Sequence, residues 1–161
     1  MTHIRRRGKA KSVAGKIIPK INPEFCFFKL RVGRSKIHRW GLYAAERIPA
    51  RRKVMEYMGE RISRRESKRR ADIAEHVWLF TVDPYWNIDG SVGGSGAELA
   101  NHCCDPNLYA WVTKGHVLYM SKKEIRPGEE LTIDYHFGAD VERVVCKCGS
   151  LKCRGTINIK K

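Results

Sequence analysis

The segment AELANHCCDPNLYAW, residues 97 to 111, places two adjacent cysteines between a histidine and an Asp-Pro turn. Cys103 and Cys104 could serve as a redox pair, as metal ligands, as part of a catalytic centre or as core packing. The chain has six cysteines in all. Their roles therefore depend on where the other four lie and on what kind of protein carries them.

Composition restricts the classes of protein that fit this chain. Its 161 residues predict a single domain with one core, and a hydrophobic content of 42% excludes a globally disordered chain. The net charge of +15 favours polyanions, acidic protein surfaces and nucleic-acid-bearing complexes, or serves solubility alone.

The sequence also predicts where the protein resides. No apolar run approaches the roughly 20 residues that a membrane span requires, so we expect no membrane contact. The basic N-terminus lacks the apolar stretch of a secretory signal. We therefore expect an intracellular protein with reduced thiols, in the nucleus and on chromosomes of a eukaryote, or in the cytoplasm or nucleoid of a bacterium.

The segment CKCGSLKCRG, residues 146 to 155, presents three thiols within eight residues. A structural zinc ion takes four ligands, usually cysteine with or without histidine, so this cluster is one ligand short. The fourth could come from Cys26, Cys103, Cys104 or one of the six histidines. The three cysteines could instead form a redox motif or lie together by chance.

Local patterns predict a mostly β domain. Short runs rich in Phe, Val, Ile and Tyr, separated by Gly, Pro and basic turns, are typical of strands. The stretch NLYAWVTKGHVLYMSKKEI predicts a hairpin that turns at Lys114 and Gly115. Strands do not alternate with long helices, so a doubly wound parallel sheet is not expected.

One helix and one terminal arm complete the prediction from local patterns. Ser63 followed by Glu66 forms a capping box, which predicts a helix with many arginines over residues 63 to 76. Residues 1 to 23 are rich in Lys and Arg and contain no acidic residue. We expect them to form a basic flexible arm, either a solubilising tail or a polyanion-binding segment.

Three segments in order, NHCCDPN, GEELTIDY and CKCGSLKCRGTIN, resemble the SET-domain protein lysine methyltransferases that carry a zinc-binding post-SET tail. SKIHRWGLYA resembles the cofactor-binding segment of that family, and EYMGE one of its strand-turn units. The resemblance covers roughly residues 30 to 158. After the basic arm over residues 1 to 23, it implies a SET domain over 24 to 140 and a post-SET tail over 141 to 161.

The resemblance also implies a fold and an activity. The fold is mostly β, with several small curved sheets and few helices around a C-terminal pseudoknot, which would bring Asn101 and His102 beside Asp134 and Tyr135. The activity is S-adenosylmethionine-dependent methylation of the lysine ε-amine in a protein. The substrate would be a histone or another nucleic-acid-associated basic protein, and the basic surface of this chain would suit contact with the nucleic acid that such a substrate carries.

Site residues follow by carry-over from the family. Tyr135 would be the active-site tyrosine, and Tyr57 would lie near the lysine channel. Two further sets are implied, the cofactor contacts at His38, Trp40, Trp78, Asn101, His102 and Lys147, and the ligands of one structural zinc at Cys104, Cys146, Cys148 and Cys153. Cys103 would then be a small buried residue without a metal role.

The chemistry suits such a site. A lysine amine with a pKa of about 10.4 is protonated at neutral pH and cannot attack a methyl group. Desolvation and a nearby sulfonium charge both lower that pKa, and a narrow aromatic channel provides them together. The Tyr135 hydroxyl can orient the methyl group through weak C-H to oxygen contacts.

Several positions depart from the family pattern. Arg39 replaces a glycine, so a positive φ there would be strained, and Glu98 and Leu99 stand where the family tends to have a basic and an aromatic residue. Ile133, two residues before Tyr135, is not aromatic, which predicts that more than one methyl group is added. These departures leave a second hypothesis, a catalytically silent SET module that binds nucleic acid or a partner through its basic arm and helix. A plain zinc-stabilised DNA-binding domain would leave two of the three motifs unexplained.

Overall fold

The computed structural model describes residues 18–73, 78–139 and 142–159. These residues form ten short strands, one α-helix and two 3-10 turns, at Pro23–Phe25 and Ala97–Leu99. The longer elements are β1 Leu30–Arg34, β2 Trp40–Ala44, β3 Lys53–Tyr57, β4 Glu60–Ser63, α1 Arg64–Ile73, β5 Leu79–Thr81, β6 Trp86–Asp89, β7 Asn101–His102, β8 Leu108–Thr113, β9 His116–Ser121 and β10 Glu130–Ile133. The predicted mostly β class is confirmed.

The strands form three small sheets, with the orders β1-β2-β10-β7, β3-β9-β8 and β4-β6-β5. All pairings are antiparallel except that of β10 with β7, which is parallel and sets Thr132 opposite Asn101 and Ile133 opposite His102. Such a pairing joins two segments far apart in the chain. It produces the juxtaposition of residues 101 and 102 with residues 134 and 135 that the resemblance implied.

The predicted hairpin is present between β8 and β9. Its two turn residues, Lys114 and Gly115, have φ angles of 48° and 82°. Positive φ at both central positions is typical of the two-residue turns whose twist matches that of the flanking strands. The turn thus sets the register, in which Thr113 pairs with His116 and Leu108 with Ser121.

The start of the predicted helix is confirmed. The Ser63 hydroxyl oxygen accepts the Glu66 N–H at 3.2 Å, as an N-cap residue does. The Glu66 carboxylate does not complete the box but receives hydrogen bonds from Arg69 and Arg70. The last predicted helical residues, 74 to 76, lie outside the described residues, and within the described ranges no helix is long and apolar enough to cross a membrane.

The core lies between the sheets. Its largest fully buried side chains come from several strands and from the loops that cross them: Leu42, Ile48, Met55, Leu108, Ile125 and Leu131. Ile21 packs against this core, and the Asn22 N–H donates to the Ser95 carbonyl at 2.9 Å. Contacts with the domain thus begin before Pro23, while residues 1 to 17 of the predicted arm lie outside the described residues.

Arg39 occupies the strained conformation that its replacement of glycine suggested, with a φ of 41°. A residue with a side chain is destabilised by about 1–2 kcal/mol in this left-handed region. Glycine avoids that strain, but it loses more conformational entropy on folding, which offsets part of the benefit. We expect Arg39→Gly to raise the free energy of unfolding by about 0.5–1 kcal/mol, measured by urea titration. Lys36→Gly, at an exposed position of the same turn without positive φ, should instead lower it. A less stable Arg39→Gly protein would show that the strain is not there.

Candidate active site and metal centre

Asn101 is a buried residue of β7 whose side chain makes several hydrogen bonds in the site. Its side-chain amide donates to the Trp40 carbonyl at 2.9 Å, to Glu130 Oε1 at 2.8 Å and, more weakly, to the His38 carbonyl at 3.4 Å. Glu130 is itself fixed, since its other oxygen accepts the Tyr43 hydroxyl at 3.2 Å. Asn101 thereby joins the turn before β2 to β7. Sequence reasoning did not identify Glu130.

His102 lies between the active-site strands and the cysteines. Its Nδ1 accepts the Tyr135 N–H at 3.2 Å, and its Nε2 lies 3.4 Å from the Cys104 sulfur. Burial lowers the pKa of His102, although Asp134, 3.5 Å from Nδ1, opposes the effect. A neutral ring whose Nδ1 accepts carries its proton on Nε2, so Nε2–H donates to sulfur. The side chain of His102 thus links Tyr135 to the cysteine group through Cys104.

Tyr135 is the second residue after β10 and is partly exposed, with 39% of its surface accessible. Its hydroxyl donates to the Ala100 carbonyl at 3.1 Å. The ring packs against His102 and Phe137, with centroids 5.4 and 5.7 Å away. Burial raises the pKa of Tyr135 to about 12, so the phenol stays protonated at neutral pH. It can donate or orient but does not act as a base.

Tyr57, at the end of β3, lies in a buried aromatic cluster. Only 4% of its surface is exposed, and its ring centroid lies 5.3 Å from that of Phe80 and 6.0 Å from that of Tyr119. Its hydroxyl donates to the Trp78 carbonyl, which also accepts the Gly90 N–H at 2.8 Å. Burial raises the pKa of Tyr57 well above its ordinary value. Trp78 therefore meets this cluster through its backbone, while its side chain is partly exposed.

Glu98, which sequence reasoning noted only as a departure, lies near Tyr57 in the 3-10 turn that follows the glycine-rich loop. Its Oε2 accepts the Gly96 N–H at 2.9 Å. A Cβ on Gly90 would lie 2.7 Å from the Tyr57 oxygen and 3.2 Å from the Glu98 Cβ, so only glycine fits between the two side chains. Burial raises the pKa of Glu98. Burial therefore disfavours the ionised form of the Glu98 carboxylate.

This burial predicts a pH dependence of stability. Because the folded-state pKa of Glu98 is raised, its ionised form opposes folding, and the penalty grows as pH rises above the unfolded pKa of about 4.3. We expect Glu98→Gln to melt at a higher temperature than the parent at pH 7 and close to it at pH 4. The exposed Glu24→Gln should show no such pH-dependent difference. An equal gap at both pH values would contradict the prediction.

Four thiols meet next to His102. Their sulfur atoms all lie within 4.8 Å of one another, and they belong to Cys104, Cys146, Cys148 and Cys153. The Cys104 and Cys146 sulfurs are 3.6 Å apart. Zinc–sulfur bonds of about 2.3 Å in a tetrahedron place the sulfurs about 3.8 Å from each other. The group has the ligand number, chemistry and spacing to hold one zinc ion.

Backbone amides point at several of these sulfurs, while burial raises the pKa of the Cys104 and Cys146 thiols. The Arg154 N–H lies 3.4 Å from the Cys104 sulfur, and the Gly155 N–H lies 3.4 Å from that of Cys153. Burial raises the pKa of the Cys148 thiol, but hydrogen bonds from backbone N–H groups, the first from Cys104, outweigh it and lower the pKa to about 6. Such contacts are the supporting shell of a cysteine metal site.

Cys103 lies apart from this group of four. It is buried, with 8% of its surface exposed, and its sulfur accepts the Asp105 N–H at 3.4 Å. Its thiol is in contact with Cys148 and so lies against the group without belonging to it. Cys26 is distant from the cluster, with its thiol directed at the Asn22 carbonyl. The two adjacent cysteines therefore have different surroundings.

Arg154 fastens the C-terminal tail to the end of β10, a role that sequence reasoning missed. Its guanidinium donates to both oxygens of Asp134, at 2.6 and 2.7 Å, and to the carbonyls of Ile157 and Asn158. Burial raises the pKa of Asp134, but the hydrogen bonds from Arg154 and the His136 N–H, together with the nearby positive charge, outweigh it and the net shift is downward. The Arg154-Gly155 dipeptide alone carries no sequence signal for the pairing of Arg154 with Asp134.

Lys147, which was predicted to contact the cofactor, is exposed between two cysteines.

Comparisons with known proteins agree with this architecture. The family model described as the SET domain matches residues 39–136. Human histone-lysine N-methyltransferase SETD1A is 40% identical over 139 residues, covering 81% of this chain and 8% of its own length. The Saccharomyces cerevisiae histone-lysine N-methyltransferase, H3 lysine-4 specific, is 39% identical over 137 residues, covering 78% and 13%. The chain thus spans about a tenth of the length of these curated relatives.

A solved structure is similar as well. The crystal structure of KRYPTONITE in complex with mCHG DNA and SAH matches with a TM-score of 0.69 and 32% sequence identity. The match covers 82% of this chain and 29% of that chain. Because the family model spans more than half of the chain and the Asn-His, Asp-Tyr and cysteine segments converge in space, this protein belongs to the SET-domain family.

Proposed function

We propose that this protein is an S-adenosylmethionine-dependent protein-lysine N-methyltransferase. The observation that carries the proposal is the convergence of Asn101, His102 and a protonated, partly exposed Tyr135 at one parallel strand pair. The curated relatives are named histone-lysine N-methyltransferases, and the similar solved structure contains SAH. A chromatin protein such as a histone, on chromosomes, is the substrate class that these relatives favour, and the charge of +15 suits the nucleic acid that such a protein carries.

The residues around Asn101 suit the methyl donor. The carbonyls of His38 and Trp40 face the Asn101 amide, and the rings of Tyr135 and Phe137 are each 39% exposed beside it. Hydrogen-bonding backbone and open aromatic faces match an adenosyl group with a charged amino-acid end. The carried-over contacts of Trp78, His102 and Lys147 belong to the same proposal. When bound, S-adenosylmethionine supplies the methyl group as a sulfonium electrophile.

The chain's own residues would prepare the acceptor. The aromatic cluster of Tyr57, Phe80 and Tyr119 would form an apolar wall of the lysine channel. Desolvation beside this wall would lower the pKa of the lysine amine, so that the amine loses its proton to solvent before attack. The amine nitrogen forms a bond to the methyl carbon while the carbon–sulfur bond breaks. The Tyr135 hydroxyl and the Ala100 carbonyl to which it donates orient the reacting groups. The buried Ile133 precedes Tyr135 by two residues and would leave room for more than one methyl group.

The tail over residues 141 to 161 would complete the site. A zinc ion held by the four clustered thiols would fix the segment that begins at Cys146, and the Arg154 to Asp134 pair would fix its far side. We propose this division into arm, SET domain and zinc-bound tail as the working organisation of the protein. The zinc has a structural role here and takes no part in the transfer.

The proposal is tested by binding and transfer together. The purified protein should bind S-adenosylmethionine and S-adenosylhomocysteine in calorimetry, and Asn101→Ala should weaken both. Incubation with labelled methyl donor and a panel of histones and other basic nucleoid proteins should label lysine. Absence of binding together with absence of transfer to every member of the panel would refute the proposal.

A further inference from the structure

The outer face of the β3-β9-β8 sheet carries a group of side chains that the methyl-transfer site does not use. In strand register, Tyr109 lies opposite Met120, which lies opposite Lys53, and Trp111 lies opposite Leu118. Directly opposed residues point to the same side of a sheet. The outer face, as named here, consists of Phe27, Lys53, Glu56, Tyr109, Trp111, Leu118 and Met120.

This face is separate from the proposed active site. Alternate residues of the same strands, Val54, Tyr57, Val117 and Tyr119, point to the opposite side and are buried in the core. The aromatic cluster around Tyr57 therefore occupies one side of the sheet and the outer face occupies the other. A ligand on the outer face would leave the proposed methyl-transfer site open.

Three aromatic rings on the outer face remain accessible. Phe27 is 53% exposed, Tyr109 43% and Trp111 50%. Tyr109 and Trp111 are two residues apart on β8 and so stand about 7 Å from each other. Leu118, between the strands, is covered by its neighbours and gives the rings an apolar floor. Adjacent exposed rings on a sheet form a platform on which planar groups stack.

Positive charge surrounds this platform. The Lys53 ammonium lies 4.7 Å from the Phe27 ring centroid, on the face itself. One carboxylate also lies on this face: Glu56 is opposite Leu118, in the same row as Trp111, and its Oε1 is 2.6 Å from His116 Nδ1. Exposed basic residues lie at the ends of these strands and in the β8–β9 turn: Arg51, Arg52, Lys114, Lys122 and Lys123. The chemistry offered is stacking in the middle and phosphate binding at the rim.

From this arrangement we infer that the outer face binds single-stranded nucleic acid. Bases would stack on Tyr109 and Trp111, and the phosphates would contact the basic rim. A duplex is disfavoured because its bases already stack on one another and cannot lie on a flat sheet. An acidic protein segment would use the cations but would leave the rings without planar partners. RNA and DNA share the recognised chemistry, so the choice between them is left to experiment.

The test measures binding of the full chain to labelled oligouridine and oligothymidine of about 16 nucleotides by fluorescence anisotropy. Trp111→Ala should weaken binding about tenfold, the Tyr109→Ala/Trp111→Ala pair further, and Trp111→Phe should restore most of the affinity. Tyr85→Ala, which removes a 75% exposed ring from the turn between β5 and β6 of a different sheet, should leave the affinity unchanged. Lys122→Ala/Lys123→Ala should lower the slope of log affinity against log salt. Circular dichroism checks that each variant is folded.

Three results would overturn the inference. The first is unchanged affinity in the Tyr109→Ala/Trp111→Ala protein, or an equal loss in Tyr85→Ala. The second is equal affinity for a duplex of the same length. The third is an absence of oligonucleotide binding together with a dimer, seen by sedimentation, that Trp111→Ala dissociates, because the face would then bind a second copy of the chain. None of these results bears on methyl transfer, which is measured separately.

Discussion

Tyr135→Phe is expected to reduce the rate of methyl transfer at saturating cofactor by about 100-fold or more, the scale on which single oriented groups act in catalysis. The variant keeps the ring contacts with His102 and Phe137 and loses only the hydroxyl that donates to the Ala100 carbonyl. Because the phenol is protonated at neutral pH, the loss is one of orientation and not of a base. Single-turnover transfer to a histone substrate measures the effect.

The matched control for this change is Tyr85→Phe, which removes the hydroxyl of a 75% exposed tyrosine. It should transfer at the parent rate. Cofactor affinity and melting temperature of Tyr135→Phe should stay close to those of the parent, which separates a catalytic loss from a folding defect. A Tyr135→Phe protein that transfers within a few-fold of the parent would remove Tyr135 from the catalytic role.

Cys104→Ser is expected to lose the bound metal and to release the C-terminal tail. Zinc bound to four thiolates contributes on the order of 10 kcal/mol or more, and a hydroxyl in place of one thiolate removes much of that. The Cys104 sulfur also accepts the Arg154 N–H, so the same change weakens the link between tail and core. The zinc content measured by metal analysis should fall from one ion per chain to near none, and amide exchange over residues 142–159 should become faster.

Cys103→Ser is the natural control because it alters the neighbouring thiol. Cys103 is buried and outside the group of four, and serine can still accept the Asp105 N–H. It should keep its zinc and its tail protection, with at most a small loss of stability from its contact with Cys148. If Cys103→Ser released zinc and Cys104→Ser retained it, the assignment of ligands would be wrong.

Local chemistry was enough to predict the elements whose signals lie within a few residues. The β8–β9 hairpin follows from two strand-like runs separated by a two-residue turn that contains Gly115, which accepts positive φ, and the start of α1 follows from the Ser63 cap. The mostly β class follows from short strand-like runs. These features are set by backbone preferences that each segment carries alone.

Long-range contacts could not be predicted in that way. The parallel pairing of β7 with β10 and the approach of Cys104 to the three later cysteines came from resemblance to a family, since neither leaves a periodic pattern. Arg154 and Glu130 were missed because their partners, Asp134 and Asn101, are fixed only by the completed fold. Glu98 was visible as a departure, but its burial against Tyr57 depends on the glycine loop closing over it.

Mass spectrometry of a histone substrate incubated with the protein and S-adenosylmethionine tests the central claim most directly. We expect a mass increase of one or more methyl groups, assigned by fragmentation to a lysine side chain and reduced about 100-fold or more when Tyr135→Phe replaces the parent. A substrate of unchanged mass, from a protein shown by calorimetry to hold the cofactor and by metal analysis to hold zinc, would contradict the account.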